Sequence, residues 1–168
     1  QHRITQYVGG DYRIHENWAA LTAQHQFISL KQLDSRDIGA LIPEKTDFFM
    51  SQSAIEHFEE DLTFFRQIRQ YIRRTQQPVV QIHLFPSKIH FRLSPLHGVR
   101  QYCPRTISKI TRLFDDDHSY SILFNLGGEE CITLHDQFMT APYYRAKDKS
   151  LKHDRRKTEP ETYAKLLR

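Results

Sequence analysis

The clearest hydrophobic pattern in the chain is a helical stripe over residues 53–76. Apolar side chains recur there at every third or fourth position, which places them on one face of an α-helix: Ile55, Phe58, Leu62, Phe65, Ile68 and Ile72. Ser53 followed by Glu56 matches a capping box, and Pro78 marks the stop. Acidic residues crowd the first turns and arginines the last, which complements the helix dipole. The pattern predicts one long helix that begins behind Ser53.

A different period follows, because residues 80–93 alternate between apolar and polar side chains as a β-strand does. With a turn centred on Pro86 and Ser87, one face of a hairpin becomes wholly apolar. The other face then carries the polar residues and one aromatic: Gln81, His83, Phe85, Lys88, His90 and Arg92. Such a clean separation of faces predicts this register. We expect the apolar face to pack on the long helix and His83 to point outward.

The second half of the chain repeats this arrangement of a helix and a hairpin. Cys103-Pro104 predicts the start of a helix of about three turns, with proline at its first position and Ile107, Ile110 and Phe114 facing inward. A second hairpin is expected over Tyr120–Phe138 around Gly127-Gly128, although no register separates its faces. A short last helix is indicated over 161–167.

The first third of the chain gives weaker signals. Ile14, Trp18 and Leu21 share one helical face. A short helix is predicted over 36–41, and a loop over 43–50 that buries its two phenylalanines. The elements together predict an α+β fold: one antiparallel sheet built from two β-hairpins, with helices packed on one face.

Composition limits the class of protein. The 168 residues are 39% hydrophobic, which suits one globular domain and argues against wholesale disorder. The net charge of +4 is unevenly distributed, since residues 145–168 hold nine basic and four acidic side chains. We therefore divide the chain into a single α+β domain over residues 1–144 and a basic C-terminal tail over 145–168. Two cysteines do not make a disulfide scaffold, although a Cys103–Cys131 bond remains open.

Three basic features point to phosphate binding by a small, non-enzymatic accessory or regulatory protein. The first is a basic stripe of Arg105, Lys109 and Arg112 on the helix predicted to begin at Cys103-Pro104, with Arg100 just before it. The second is the polar hairpin face, and the third is the tail. The predicted contacts to nucleic acid, DNA or RNA, are Arg100, Arg105, Lys109, Arg112, Lys88, His83, His90, Arg92, Arg155, Arg156 and Lys157. Ser108 and Thr111 can add hydroxyl donors beside the stripe.

Other interpretations stay open. The same cations can be an ordinary solvated surface. A protein-interaction module, such as an adaptor, an inhibitor or a secreted effector, would use tyrosines as anchors: Tyr102, Tyr120, Tyr143 and Tyr144. A metal-dependent hydrolase would use Asp115–Asp117, with Glu129 and Glu130 brought near by the second hairpin. Cys131 and His135 lie too far apart on a regular strand to act as a nucleophile pair.

No signature of a known catalytic site stands in the sequence. It contains no C-x-x-C, H-E-x-x-H, G-x-G-x-x-G, Walker loop or G-x-S-x-G. We therefore assign no catalytic residue, metal or cofactor. No apolar run approaches the roughly 20 residues that cross a bilayer, and no secretory leader opens the chain. These absences lead us to expect a cytoplasmic protein without a membrane partner.

Overall fold

The chain begins with two successive β-α-β units. The computed structural model describes residues 4–88, 98–116, 118–145 and 160–166. In the first unit, strand β1 (Tyr7–Asp11) leads through helix α1 (Trp18–Gln24) to strand β2 (Ile28–Gln32). The two strands run parallel, with Tyr7 opposite Ile28. A 3-10 turn at Ile38–Leu41 then leads to the second unit.

The second unit contains the long amphipathic helix. Strand β3 (Phe48–Gln52) leads through helix α2 (Asp61–Thr75) to strand β4 (Val80–Leu84). β3 and β4 are also parallel, from Phe48 opposite Val80 to Gln52 opposite Leu84. A parallel pair needs a long crossover, and α2 is that crossover.

The remaining elements of the described ranges are all helices. Helix α3 (Pro104–Thr111) continues into a 3-10 turn at Arg112–Phe114. In the parts of the chain that the structure describes, three helices follow: α4 (Glu129–His135), which runs through a π-turn at Asp136–Thr140 into α5 (Ala141–Arg145), and α6 (Pro160–Leu166). The predicted helices behind Cys103 and near residue 161 are thereby confirmed. No helix in the described ranges is both long and apolar enough to cross a bilayer.

The predicted antiparallel sheet is wrong. The fold is α+β, but the strands among the described residues form two small sheets of two parallel strands each. β4 pairs with β3, 32 residues earlier, and not with the segment after Pro86; the second strand predicted for that hairpin falls largely on residues 89–97, outside the described residues. The second hairpin does not form, because residues 119–128 have no regular secondary structure and Gly128 is the N-cap of α4.

The start of α2 also differs from the prediction. The apolar stripe is present, but the helix begins at Asp61. Ser53 adopts a left-handed backbone with φ 47°, and Glu56 lies buried in a separate 3-10 turn at Ile55–His57. The predicted capping box is therefore wrong, since neither residue caps α2.

The hydrophobic core belongs to the second unit and α3. Its buried cluster consists of Ile38, Ile55, Phe65, Ile68 and Tyr102. Ile107, Ile110 and Phe114 pack against it, as predicted. By contrast, no residue between positions 4 and 32 is buried. The first unit therefore lies at the periphery of this core.

The β3–β4 sheet presents its apolar face to solvent. The exposed side chains are Phe48, Met50, Val80 and Ile82, which we call the outer sheet face; they are 44–59% exposed. α2 covers the opposite face, where the rings of Phe65 and His83 lie 4.9 Å apart. The prediction that the apolar face meets the long helix is wrong, as is the burial of Phe48.

Candidate functional site

The local sequence fixes the start of α3. Cys103 is extended at the N-cap, and Pro104 supplies the backbone angle of the first turn. The Cys103 amide donates to the Thr106 hydroxyl at 2.8 Å. The same interactions act on the thiol: the backbone hydrogen bond from Thr106 lowers the pKa of Cys103. α3 therefore begins at a defined residue, which sets the direction of every side chain after it.

α3 presents basic side chains to solvent. Its apolar side packs on the core, while Arg105, Lys109 and Arg112 are exposed. Their spacing places them on one side of the helix, over about 10 Å. The neighbouring hydroxyls bond within the helix, since Ser108 donates to the Arg105 carbonyl and Thr111 to the Ser108 carbonyl. They are less available to a ligand than predicted.

Lys88 joins this surface through the backbone. Ser87 forms an isolated bridge with Tyr102, and the Lys88 amide donates to the Tyr102 carbonyl at 3.0 Å. Lys88 is exposed, and the bond to Tyr102, the residue before the N-cap of α3, holds its backbone near the start of that helix. We define the cationic face as Lys88, Arg105, Lys109 and Arg112. Within the described residues, no carboxylate forms an ion pair with these four groups.

An open cleft lies at the carboxyl end of this face. It encloses about 250 Å³, and Arg112 and Tyr120 are both among the residues that line it. The Tyr120 side chain is 88% exposed. Asp115 contributes a carboxylate to the lining, and Ser119 and Ser121 contribute hydroxyls. We call this the Tyr120 cleft; its residues were not among the predicted contacts, apart from Arg112.

Arg100 points away from the cationic face into a buried polar cluster. Its Nη1 lies 3.0 Å from Asp61 Oδ1, and Asp61 Oδ2 accepts the Tyr102 hydroxyl at 2.8 Å. Burial, together with this bond to Asp61, raises the pKa of Tyr102. The guanidinium of Arg100 is thus neutralised by Asp61, and Tyr102 is a core residue rather than a surface anchor.

His83 also faces α2 and is only partly exposed. Its Nδ1 lies 2.8 Å from the Ser51 hydroxyl, on the face of β4 that α2 covers. Burial lowers the pKa of His83 to about 4. The prediction that His83 faces outward is therefore wrong. The remaining predicted contacts lie outside the described residues: His90, Arg92, Arg155, Arg156 and Lys157.

The features considered for catalysis lie on a loop and on α4, and not on the predicted hairpin. Asp116 accepts the His118 amide at 3.1 Å, and Asp117 lies outside the described residues. Glu129 and Glu130 begin α4 instead of crossing a hairpin. The described residues contain no group of three or more metal-ligating side chains. Both cysteines are free, and Cys131 is exposed on α4. His135 lies one helical turn further along the same helix, so the strand spacing that argued against this pair does not apply.

No protein-family model, curated protein or solved structure matches this chain significantly. Function is therefore inferred from the side chains that the fold brings together. Of the three predicted basic features, the stripe on α3 is the one placed on the described surface, together with Lys88.

Proposed function

We propose that this protein binds nucleic acid through the cationic face, as an accessory or regulatory protein of the cytoplasm. The observation that carries the proposal is that four exposed cations lie on one surface and form no ion pair with a carboxylate of the described residues. Cations left in this state attract phosphates, whose condensed counterions are released on binding. The Tyr120 cleft adds an aromatic ring to a concave surface beside Arg112, an arrangement typical of nucleic-acid grooves.

The proposal predicts a steep dependence on salt. With three to four phosphate contacts, affinity for a single strand should fall roughly 20- to 50-fold between about 50 and 200 mM salt. Fluorescence anisotropy of a labelled 20-nucleotide strand measures this directly. Lys109→Ala should weaken binding to every sequence alike and lower the salt slope by about one unit or less.

Arg13→Ala is the matched control, because Arg13 is an exposed arginine in the loop between β1 and α1 and is not part of the cationic face. It should leave affinity and slope unchanged. Equal effects of the Lys109 and Arg13 variants, or an affinity that does not respond to salt, would show that the cationic face is an ordinary solvated surface.

A second candidate function, protein interaction, is favoured by the outer sheet face. Parallel sheets are normally covered on both faces, yet this one leaves four large apolar side chains half-exposed. They offer on the order of 400 Å² per copy, the size of functional patches on monomers. The strand register sets Phe48 beside Val80 and Met50 beside Ile82, so the four side chains form one compact patch. A second copy related by a two-fold axis would place its own outer sheet face against this one.

Two such faces together bury on the order of 800 Å², which is a small interface, so the self-association should be weak. Sedimentation velocity should show a dimer that grows with protein concentration. Met50→Lys should abolish it, and Ile14→Lys, at an exposed residue of the first unit, should not. A wild-type protein that stays monomeric at about 200 µM would exclude the second copy as the partner.

A further inference from the structure

The Tyr120 cleft continues the cationic face but offers a different kind of contact. Arg112 belongs to both, so a strand that follows α3 toward its carboxyl end reaches the cleft directly. Its volume of about 250 Å³ is below that of pockets that enclose a whole small ligand. The cleft is therefore suited to one flat group laid against a wall.

Tyr120 supplies that wall. Its ring is 88% exposed, and within the described residues it makes no ring or cation contact. The preceding turn restricts its position, because the Ser119 amide donates to the Asp116 carbonyl at 3.2 Å and the His118 amide to the Asp116 carboxylate. A free aromatic face held on a short turn can stack on any nucleobase.

The charges of the cleft set the orientation of a bound nucleotide. Arg112 attracts a phosphate, whereas the exposed carboxylate of Asp115 repels one. Asp115 can instead accept a hydrogen bond from an exocyclic amine, as carboxylates do with cytosine. The phosphate therefore belongs beside Arg112 and the base edge beside Asp115.

We propose that the Tyr120 cleft receives one unstacked base of a single-stranded nucleic acid, with the Tyr120 ring stacked on the base and Arg112 bound to the adjacent phosphate. This inference rests on the proposed function of the cationic face. A duplex cannot place a base in the cleft against Tyr120, because its bases are already paired and stacked. The protein should thus prefer single strands to duplexes of the same length.

The inference is tested by measuring the affinity of wild-type protein for five ligands. They are a 12-nucleotide deoxycytidine strand, a thymidine strand of the same length, the two corresponding ribonucleotide strands and a duplex of matched length. Tyr120→Ala should weaken single-strand binding about 5- to 100-fold and leave duplex binding unchanged. Tyr120→Phe retains a ring and should bind within about 2-fold of wild type. Cytidine strands should bind more tightly than thymidine strands if Asp115 contacts the base.

Phe124→Ala is the control for loss of an exposed aromatic, since Phe124 is 72% exposed and does not line the cleft. A strand carrying the fluorescent base 2-aminopurine reports stacking itself: wild type and Tyr120→Phe should quench it, and Tyr120→Ala should not. Failure to bind any nucleic acid would overturn the proposed function and this inference together. Equal binding of single strand and duplex, with Tyr120→Ala behaving like Phe124→Ala, would overturn the cleft alone.

Discussion

Mild acid should destabilise the fold through His83, whose imidazole lies between β4 and α2. The ring stands edge-on to Phe65 at 4.9 Å and to Phe64 at 6.2 Å, and its Nδ1 contacts the Ser51 hydroxyl. None of these neighbours is a carboxylate that would stabilise an imidazolium. Burial accordingly lowers the pKa of His83 from 6.5 to about 4.

The sign and size of the effect follow from linkage. Between pH 6.5 and about 4, the unfolded chain binds a proton at His83 that the native state does not. The contribution of the neutral ring to stability is therefore complete above pH 6.5 and is lost as the pH falls toward 4. Each pKa unit corresponds to about 1.4 kcal/mol, so the full loss is about 3 kcal/mol.

Urea unfolding followed by far-UV circular dichroism, at a series of pH values from 7 to 4, measures this loss. His83→Gln should be less stable than wild type at pH 7, because it loses the ring contacts, but its free energy of unfolding should depend less on pH. The difference in slope should approach about 1.4 kcal/mol per pH unit near pH 5. His118→Gln, which removes an exposed imidazole, should keep the wild-type slope. Identical slopes for wild type and His83→Gln would refute the assignment.

Three further predictions concern the buried polar cluster, a glycine with a positive φ angle and the cleft. Asp61→Ala should lower the free energy of unfolding, measured in urea, by about 3 kcal/mol, because Arg100 loses its carboxylate partner, and Tyr102→Phe should lower it by about 1 kcal/mol. Glu44→Ala, the control, breaks an exposed ion pair with Arg74 and should change the free energy of unfolding little, so equal losses for Asp61→Ala and Glu44→Ala would contradict the burial argument. Gly98→Ala should destabilise the fold by about 1–3 kcal/mol, since φ is 77° and a Cβ would lie 2.9 Å from the Glu56 carbonyl. Gly39→Ala, whose Cβ would meet only the flexible Gln67 side chain, should destabilise the fold less, so a larger loss of stability for Gly39→Ala than for Gly98→Ala would contradict this reasoning. Asp115→Asn should tighten binding of thymidine strands, whose bases have no exocyclic amine for Asp115 to accept, at low salt by removing a repulsive charge, and this effect should vanish at high salt. Unchanged affinity for thymidine strands at low salt would show that the charge of Asp115 does not act on the bound phosphates.

Patterns that depend only on near neighbours in sequence were predicted well. The start of α3 follows from Cys103-Pro104, and its inward and outward faces follow from helical spacing. The apolar stripe of α2 was likewise recognised from residues 62 to 72. Its beginning was not, because the backbone of Ser53 turns left-handed and separates the capping residues from the helix.

The sheets could not be predicted in this way, because their pairing is not local. The alternation in β4 correctly indicates a strand, but nothing in it identifies Phe48–Gln52 as the partner. The prediction of which face of β4 packs on α2 was wrong for a related reason. α2 covers Ser51 and His83, which hydrogen-bond to each other, and so the more polar side of the strands is the buried one.

The candidate site was found in part. Arg105, Lys109 and Arg112 were identified because they share one helix face. Arg100 was misplaced, since its partner Asp61 is 39 positions away and gives no local signal. Tyr120 was noted as an anchor for a protein partner, but its position beside Arg112 appears only when the chain after the 3-10 turn is folded back on α3.

The peripheral position of the first β-α-β unit has a consequence for how the molecule opens. With no buried side chain between positions 4 and 32, that unit can detach from the rest at a free energy well below that of global unfolding. Native-state amide hydrogen exchange should therefore show two tiers: fast, sub-global exchange for the amides of Tyr7–Gln32, and slow exchange set by complete unfolding for the middle of α2. The same connectivity would then occur twice in one chain, once as a loosely attached foldon and once as the centre of its stability.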